Sequence, residues 1–203
     1  MEFQRFSLGE LATNSYILYD QNSGVAALFD APAEAEVILA FLNEKSVELK
    51  YIFLTHAHFD HIMALKELKE ATGAQIVVHS DEEQYLNNTK LNLSYFPLPE
   101  IKADILVNDG DIIDFADVKI KVIHTPGHTL GGVCYLFDET LVSGDTLFYG
   151  SIGRYDFPMG DFDTEINSIK EKLLVLPDNT AVYPGHGPAT TIGNERKGNP
   201  YLL

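Results

Sequence analysis

The residues with the clearest chemical potential lie in one short stretch, residues 55–61, which reads Thr-His-Ala-His-Phe-Asp-His. Three neutral imidazoles and one carboxylate form a nitrogen and oxygen donor set that suits zinc, and also iron or manganese. Singly, each has an ordinary explanation: Asp60 could cap the helix that follows. Together, three imidazoles would repel one another when protonated and compete for partners when buried, so the motif predicts a metal site. Its donors are His56, His58, Asp60 and His61.

Three later positions share a format in which a strand ends and a glycine turn holds a side chain of metal-binding type. They are His128 in Thr-Pro-Gly-His, Asp145 in Ser-Gly-Asp, and His186 in Pro-Gly-His-Gly. Glycine permits close backbone approach and positive φ, which a compact set of ligands needs. Each is weak evidence alone, since Asp145 also suits a turn and the histidines also suit loops. We interpret His79, which ends a strand, as structural. His124 lies on the strand before the first of these turns, where strand packing or a hydrogen bond to a ligand is favoured over ligation.

The elements that must position these residues follow from hydrophobic periodicity and turn signals. Helices are predicted over residues 33–44, from about His61 to Gly73, and over 165–176 with Asp163 or Thr164 as the cap. Residues 87–99 have no clean period and are predicted to form a long loop. This order suggests two mixed sheets covered by helices in a single domain. Strands are predicted over residues 15–19, 25–29, 51–54, 75–79, 105–107, 111–115, 118–125, 133–137, 141–143 and 181–183.

Composition bounds the class of protein. The chain has 203 residues, 45% of them hydrophobic, which is enough for a sizeable core. Lysine and arginine number 14 and aspartate and glutamate 30, so the net charge is 14 − 30 = −16. Such a charge repels phosphate backbones and anionic membranes, and we expect neither nucleic acid nor a membrane as partner.

The single cysteine, Cys134, excludes an intramolecular disulfide framework and fits a reducing compartment. It lies in an apolar run and is expected to be a core residue. The first residues do not form a charged region followed by an apolar stretch, and no segment approaches the ~20 apolar residues of a membrane span. The sequence therefore predicts a soluble, cytoplasmic protein.

Taken in order, the motifs His-x-His-x-Asp-His, Thr-Pro-Gly-His, Ser-Gly-Asp and Pro-Gly-His-Gly resemble the metallo-β-lactamase superfamily. Within it, residues 144–154 and 195–202 are similar to the short glyoxalase II-like hydrolases. The resemblance implies an αββα four-layer sandwich of two mixed β-sheets flanked by helices. It also implies one domain over residues 1–203, without the C-terminal helical domain that supplies much of the glutathione-binding surface in full-length glyoxalase II.

The resemblance implies a site with two divalent metal ions, zinc being the expected metal and iron or manganese also fitting. One ion would be held by His56, His58 and His128, the other by Asp60, His61 and His186, with Asp145 and a hydroxide bridging them. Asp60 and Asp145 would then be the catalytic carboxylates. The implied reaction is hydrolysis of a small thioester, possibly linked to glutathione, because a thiolate leaves without much help from an acid. Substrate carboxylates could be met by Arg154, Arg196 and Lys197, although surface ion pairs are the ordinary role of such cations.

The motifs also allow other functions. A persulfide dioxygenase with a single iron resembles this chain near Arg154, but there the last histidine is typically followed by aspartate, and His186 is followed by Gly187. A metal-binding protein without catalysis is disfavoured by the full ligand set. A β-lactamase proper is disfavoured because secreted members need a signal peptide and the familiar dinuclear type has cysteine at the position of Asp145.

Overall fold

The computed structural model describes residues 1–203. The chain forms two compact units, the first comprising Met1–Val78 and Glu83–Leu106, the second His79–Glu82 and Val107–Leu203. The single domain expected from the sequence stays a prediction, and each unit is described by itself.

The first sheet is mixed and has six strands in the order β1-β2-β3-β4-β5-β6. Strands β1 to β3 are paired antiparallel, whereas β3, β4 and β5 are parallel to one another. The carboxyl ends of β3 and β4 therefore lie side by side at one edge of this sheet. The strands are β1 Glu2–Leu8, β2 Thr13–Asp20, β3 Val25–Phe29, β4 Glu48–Phe53, β5 Gln75–His79 and β6 Ile105–Val107.

Three helices accompany this sheet: α1 Ala35–Lys45, α2 Phe59–Ile62 and α3 Leu65–Thr72. The first buries Ala35, Ile38 and Leu42, which recur at helical spacing on one face. The single helix predicted from about His61 to Gly73 is instead two helices, α2 and α3. As predicted, Gly73 stops the second: it is the C-cap of α3, with a φ of 72°, the left-handed conformation that glycine adopts without strain. A single 3-10 turn, Glu83–Tyr85, precedes residues 87–99, which form turns and bends as expected for a loop.

The second sheet is also mixed, with six strands in the order β14-β13-β10-β9-β8-β7. Strand β9 is antiparallel to both β8 and β10, and β10 is parallel to β13. Strands β8, β10 and β13 therefore run in the same direction and end at the same sheet edge. The strands of this unit are β7 Ile112–Phe115, β8 Val118–His124, β9 Val133–Phe137, β10 Thr140–Gly144, the separate hairpin β11 Leu147–Phe148 and β12 Ser151–Ile152, β13 Ala181–Pro184 and β14 Thr190–Thr191.

Two helices pack in the second unit. Helix α4 Phe162–Ser168 continues into a π-helical turn, Ile169–Leu173, and α5 is Ile192–Gly198. Their apolar residues join an apolar core made of Ile123, Cys134, Leu141, Leu147, Ile152, Ile169, Leu173, Val182, Ile192 and Leu202.

The predicted start and cap of α4 are wrong. The side chain of Asp161 accepts a hydrogen bond from the backbone N–H of Thr164 at 2.8 Å, so Asp161 is the N-cap, and neither Asp163 nor Thr164 has that role. The apolar periodicity begins only at Ile166, and the first turn of the helix, polar apart from the exposed Phe162, gives no signal.

Candidate metal centre

Two donor sets of metal-binding type stand at the ends of strands, one in each unit. In the first unit, β4 ends at Phe53 and the chain turns before α2 begins. The ring of His56 lies 4.7 Å from that of His58 and 4.1 Å from that of His61. All three imidazoles are buried. The motif therefore gathers three histidines as the sequence predicted, and residues 55–58 belong to neither a helix nor a strand.

Asp30 holds two of these residues in place. It follows β3, the parallel neighbour of β4, and its buried carboxylate accepts hydrogen bonds from the backbone N–H and hydroxyl of Thr55 at 2.8 and 2.7 Å. The Nδ1 atom of His61 lies 2.8 Å from the same carboxylate. Because the Thr55 hydroxyl proton goes to Asp30, its oxygen is left to accept from His56 Nδ1 at 3.2 Å. These bonds engage both Nδ1 atoms, so that Nε2 is the ring nitrogen through which each histidine could ligate a metal.

Asp60 lies in the first turn of α2, whose N-cap position is taken by His58. Asp60 is therefore not the helix cap. Its Oδ2 accepts a hydrogen bond from the hydroxyl of Thr13 at 2.9 Å and lies 3.7 Å from His61 Nε2. Thr13 of β2 thus orients the carboxylate of Asp60 toward Nε2 of His61. A carboxylate held in this way is suited to bind a metal ion together with that histidine.

The second donor set follows β8, β10 and β13, whose carboxyl ends share one sheet edge. One carboxylate oxygen of Asp145 lies 3.8 Å from His128 Nε2 and 3.6 Å from His186 Nε2. The Nδ1–H of His128 donates to the carbonyl of Arg154 at 2.7 Å, which again directs Nε2 toward the carboxylate. The three strand-end residues that the sequence selected in this unit are therefore neighbours.

Glycine is needed beside His128. A Cβ atom at Gly127, whose φ is 141°, would overlap the backbone and carboxyl of Glu165 on α4. The turn also receives two hydrogen bonds from the helix region, from Asp161 N–H to the Gly127 carbonyl at 2.8 Å and from the Ser168 hydroxyl to the Pro126 carbonyl at 2.7 Å. The Pro-Gly-His turn is therefore packed directly on α4.

Glu165 is a buried carboxyl that the sequence interpretation missed. It is 0% exposed, and neither carboxyl oxygen has a hydrogen bond of regular geometry. Burial raises the pKa of Glu165 to about 9, opposed by the facing backbone N–H of His128 and reinforced by the charge of Asp145. In the sequence it is one polar residue of an amphipathic helix, and no local pattern marks it.

Glu195 is a second buried carboxylate outside the predicted set, and it is well satisfied. It accepts hydrogen bonds from Gly150 N–H at 2.9 Å, from the Thr190 hydroxyl at 2.6 Å and from the Asn199 side-chain amide at 2.8 Å. It thereby joins the hairpin that follows Asp145 to the strand that follows His186. The sequence motif of residues 195–202 is explained in part by this linkage.

The first of the three cations considered for substrate binding is engaged in its own segment. Arg154 makes two hydrogen bonds to the carboxylate of Asp156, both at 2.9 Å, and its guanidinium lies 4.0 Å from the centre of the Phe157 ring. Its side chain is exposed. A contact from Arg154 to a substrate carboxylate stays a prediction.

The other two cations lie on α5. The guanidinium of Arg196 donates to the carbonyls of Leu174 and Leu176, at 3.1 and 2.8 Å, and pairs with Asp178. Lys197 lies 3.4 Å from the same aspartate. These contacts connect α5 to the end of the preceding helical segment, and a role in substrate binding again stays a prediction.

His79, Asp81 and His124 form a further cluster in the second unit, with ligand-type atoms within 4.8 Å of one another. The two rings are stacked face to face, 4.0 Å apart at 15°. A metal ion lies in the plane of an imidazole along its nitrogen lone pair, so two parallel stacked rings do not share one ion. His124 Nε2 donates to the carbonyl of Leu130 at 3.0 Å. These contacts agree with the structural interpretation of both histidines.

Comparison with known proteins identifies the family. Residues 8–186 match the model of the metallo-beta-lactamase superfamily, and the chain belongs to that superfamily. Hydroxyacylglutathione hydrolase GloC of Haemophilus influenzae is 36% identical over 196 residues, which span 93% of this chain and 92% of that protein. The resemblance stated from the motifs is confirmed.

Solved structures agree with this assignment. The crystal structure of BLEG-1 B3 metallo-beta-lactamase superposes with a TM-score of 0.94 at 37% identity, covering 100% of both chains. TTHA1623 in a di-iron-bound form has a TM-score of 0.86 at 33% identity, covering 98% of this chain and 100% of that one. The predicted metallo-β-lactamase fold, with two mixed sheets flanked by helices, is confirmed. None of its helices combines the length and apolar character needed to cross a membrane.

Proposed function

We propose that this protein is a metal-dependent hydrolase of the glyoxalase II type, which cleaves a small acyl thioester. The observation that carries the proposal is the position of Asp145, one oxygen of which lies close to the Nε2 atoms of both His128 and His186. A carboxylate that lies close to imidazoles of two different proposed ligand sets could serve as a ligand in both. The proposed sets are His56, His58 and His128 for one ion, Asp60, His61 and His186 for the other, and Asp145 for both.

The donor atoms fit divalent metals on chemical grounds. The Nδ1 atoms of His56, His61 and His128 are each engaged by an oxygen atom, which is the usual support for a histidine that ligates through Nε2. When bound, two such ions would lower the pKa of a coordinated water to near neutrality and polarise the carbonyl under attack. Imidazole and carboxylate donors suit zinc and iron alike.

The residues of the chain then have separable tasks. Asp60, oriented by the Thr13 hydroxyl, and Asp145 would supply the negative charge that offsets bound cations, and either carboxylate could accept a hydrogen bond from the attacking water. No side chain has to protonate the leaving group, since a thiol has a pKa of about 8.5 and its thiolate leaves unaided. Thioester cleavage is therefore the reaction that these residues could support without a general acid.

The relatives support the choice of substrate and metal. The name of the Haemophilus influenzae relative points to a glutathione-linked acyl group, and TTHA1623 was solved in a form that holds two iron atoms. We therefore propose a glutathione thioester as substrate and two ions of zinc or iron as cofactor.

A second candidate is β-lactam hydrolysis. The likeness to BLEG-1 B3 metallo-beta-lactamase favours it, since the whole of both chains is covered. Both reactions begin with attack of water on a carbonyl carbon, but the β-lactam leaving group is an amine nitrogen that must be protonated, and a thiolate is the easier leaving group.

The experiment that tests the proposal offers one metal-loaded preparation three classes of substrate. These are S-lactoylglutathione, an acyl-coenzyme A and a chromogenic cephalosporin, each assayed after loading with zinc or with iron. We expect hydrolysis of the glutathione thioester to be fastest. Cephalosporin cleavage with inert thioesters would transfer the assignment to the β-lactamase reaction, and inertness of every thioester with both metals would refute thioester hydrolysis.

A further inference from the structure

The carboxyl of Glu165 lies next to two segments of the chain that fix His128, one at Gly127 and one at Gly153. A Cβ atom at Gly153 would come within 3.0 Å of Oε1, and one at Gly127 would overlap Oε2. At Gly127 the backbone and carboxyl of Glu165 fill the space that a Cβ would need, whereas at Gly153 the carbonyl oxygen of Asp145 fills most of it and the Glu165 carboxyl lies beside it. Gly127 immediately precedes His128, and Gly153 immediately precedes Arg154, whose carbonyl accepts the His128 Nδ1–H at 2.7 Å.

Docking of α4 does not depend on this carboxyl. The helix region is attached to the same turn through Asp161 N–H, which donates to the Gly127 carbonyl, and through the Ser168 hydroxyl, which donates to the Pro126 carbonyl. A fully buried carboxyl without a regular hydrogen bond lowers the stability of a fold, and an apolar side chain of the same length would pack there at less cost. The contribution of the carboxyl is therefore to be sought in the turn that it touches.

We propose that Glu165 is a positioning residue for His128: its carboxyl faces the backbone N–H of His128 and packs against the chain at Gly127 and Gly153, so that Nε2 faces Asp145. The inference rests on the proposed function in one respect, the assignment of His128 as a metal ligand. On this proposal, the buried carboxyl of Glu165 lowers the stability of the helix packing and fixes the position of His128. Such a trade-off between stability and activity is known from other proteins.

The test compares two substitutions of similar length, Glu165→Gln and Glu165→Met, with Ser168→Ala as the matched control on the same helix and turn. Metal affinity is measured by competition with a chelating dye, ligand geometry by the visible spectrum of the cobalt-loaded protein, and stability by the Tm of the metal-free protein. Gln retains an acceptor for the His128 N–H, whereas Met fills the space without one.

We expect Glu165→Gln to bind metal as the wild type does and to keep its cobalt spectrum. Glu165→Met should bind one of the two metals at least about tenfold more weakly, while the Tm of its metal-free form rises by about 2 °C or more because a buried carboxyl has been removed. Ser168→Ala should lower the Tm and leave metal affinity unchanged. If Glu165 had only a structural role, its replacement by Met would not raise the Tm of the metal-free protein and weaken metal binding at the same time.

The proposal is overturned if Glu165→Met binds metal like the wild type, if its Tm and affinity fall together, or if Glu165→Gln loses affinity equally. It is also overturned if the wild type binds no metal. A wild type that binds metal but cleaves no thioester refutes the proposed function alone, because the affinity of Glu165→Met still decides the role of Glu165.

Discussion

Asp30 Oδ2 lies 2.8 Å from Nδ1 of His61, and both side chains are buried. The same carboxylate accepts the backbone N–H and the hydroxyl of Thr55. One residue at the end of β3 therefore orients both the start of the histidine motif and its last imidazole. Its contacts make Asp30 the main support of the donor set in the first unit.

Replacing Asp30 by alanine should weaken metal binding by about 10- to 100-fold, the usual effect of losing the hydrogen-bond partner of a ligating histidine. Stability should fall as well, because the buried Thr55 N–H loses its acceptor, at a cost of about 1–3 kcal/mol. Metal titration and urea unfolding measure the two effects. Thr72→Ala, which removes a side-chain bond at the end of α3, is a control that should leave metal affinity unchanged. Wild-type affinity in the Asp30 variant would contradict its supporting role.

Replacing Asp145 by alanine should lower the content of both metal ions and abolish hydrolysis, because the carboxylate is proposed to contact both. His79→Ala is the comparison, since His79 is stacked on His124 and is not a proposed ligand. Its metal content should stay near that of the wild type. Elemental analysis and thioester turnover decide the matter, and full occupancy with full activity in Asp145→Ala would refute the bridge.

The protein should lose stability as pH falls below about 6.5, the ordinary value for histidine. Burial, and then the neighbouring His124, lower the pKa of His79 in the folded state. The unfolded chain therefore takes up this proton first, and the free energy of unfolding falls by at most about 1.4 kcal/mol per pH unit until the folded pKa is passed. Urea unfolding across this range measures the slope. His79→Phe keeps an aromatic ring against His124 and should show a smaller slope; an unchanged slope would contradict the assignment.

Cys134 should be unreactive in the native protein. It is fully buried in the apolar core of the second unit, and burial raises the pKa of its thiol to about 12. Alkylation by iodoacetamide at neutral pH requires a thiolate and access, and the folded protein provides neither. Labelling should therefore appear only when denaturant unfolds the chain. Rapid stoichiometric labelling of the native protein would show that this core opens.

Much of the candidate site could be predicted from the sequence because its ligand-type residues carry local signals. His56 and His58 belong to a dense motif, and His128, Asp145 and His186 each follow a strand in a glycine turn. The strand order brings the last three to one sheet edge, so a local format was enough to find residues that are far apart in the chain.

The supporting residues could not be predicted in the same way. Asp30 is a single aspartate after a strand, and its role depends on the parallel pairing of β3 with β4, which no local pattern specifies. Glu165 has the position of a solvent-facing residue in a short helix, and only packing against Gly127 and Gly153 reveals its burial. Strand β1, largely exposed and without clear alternation, was missed for a similar reason, since its pairing with β2 defines it.

Metal analysis paired with an oxygen electrode tests most directly whether this protein is a hydrolase with two metal ions, as proposed. The purified protein is analysed for zinc, iron and manganese, and then offered S-lactoylglutathione and glutathione persulfide in turn. We expect about two metal ions per chain, cleavage of the thioester, and no oxygen uptake with the persulfide. A single iron per chain with oxygen consumption that depends on persulfide would contradict the account and assign the protein to the dioxygenases.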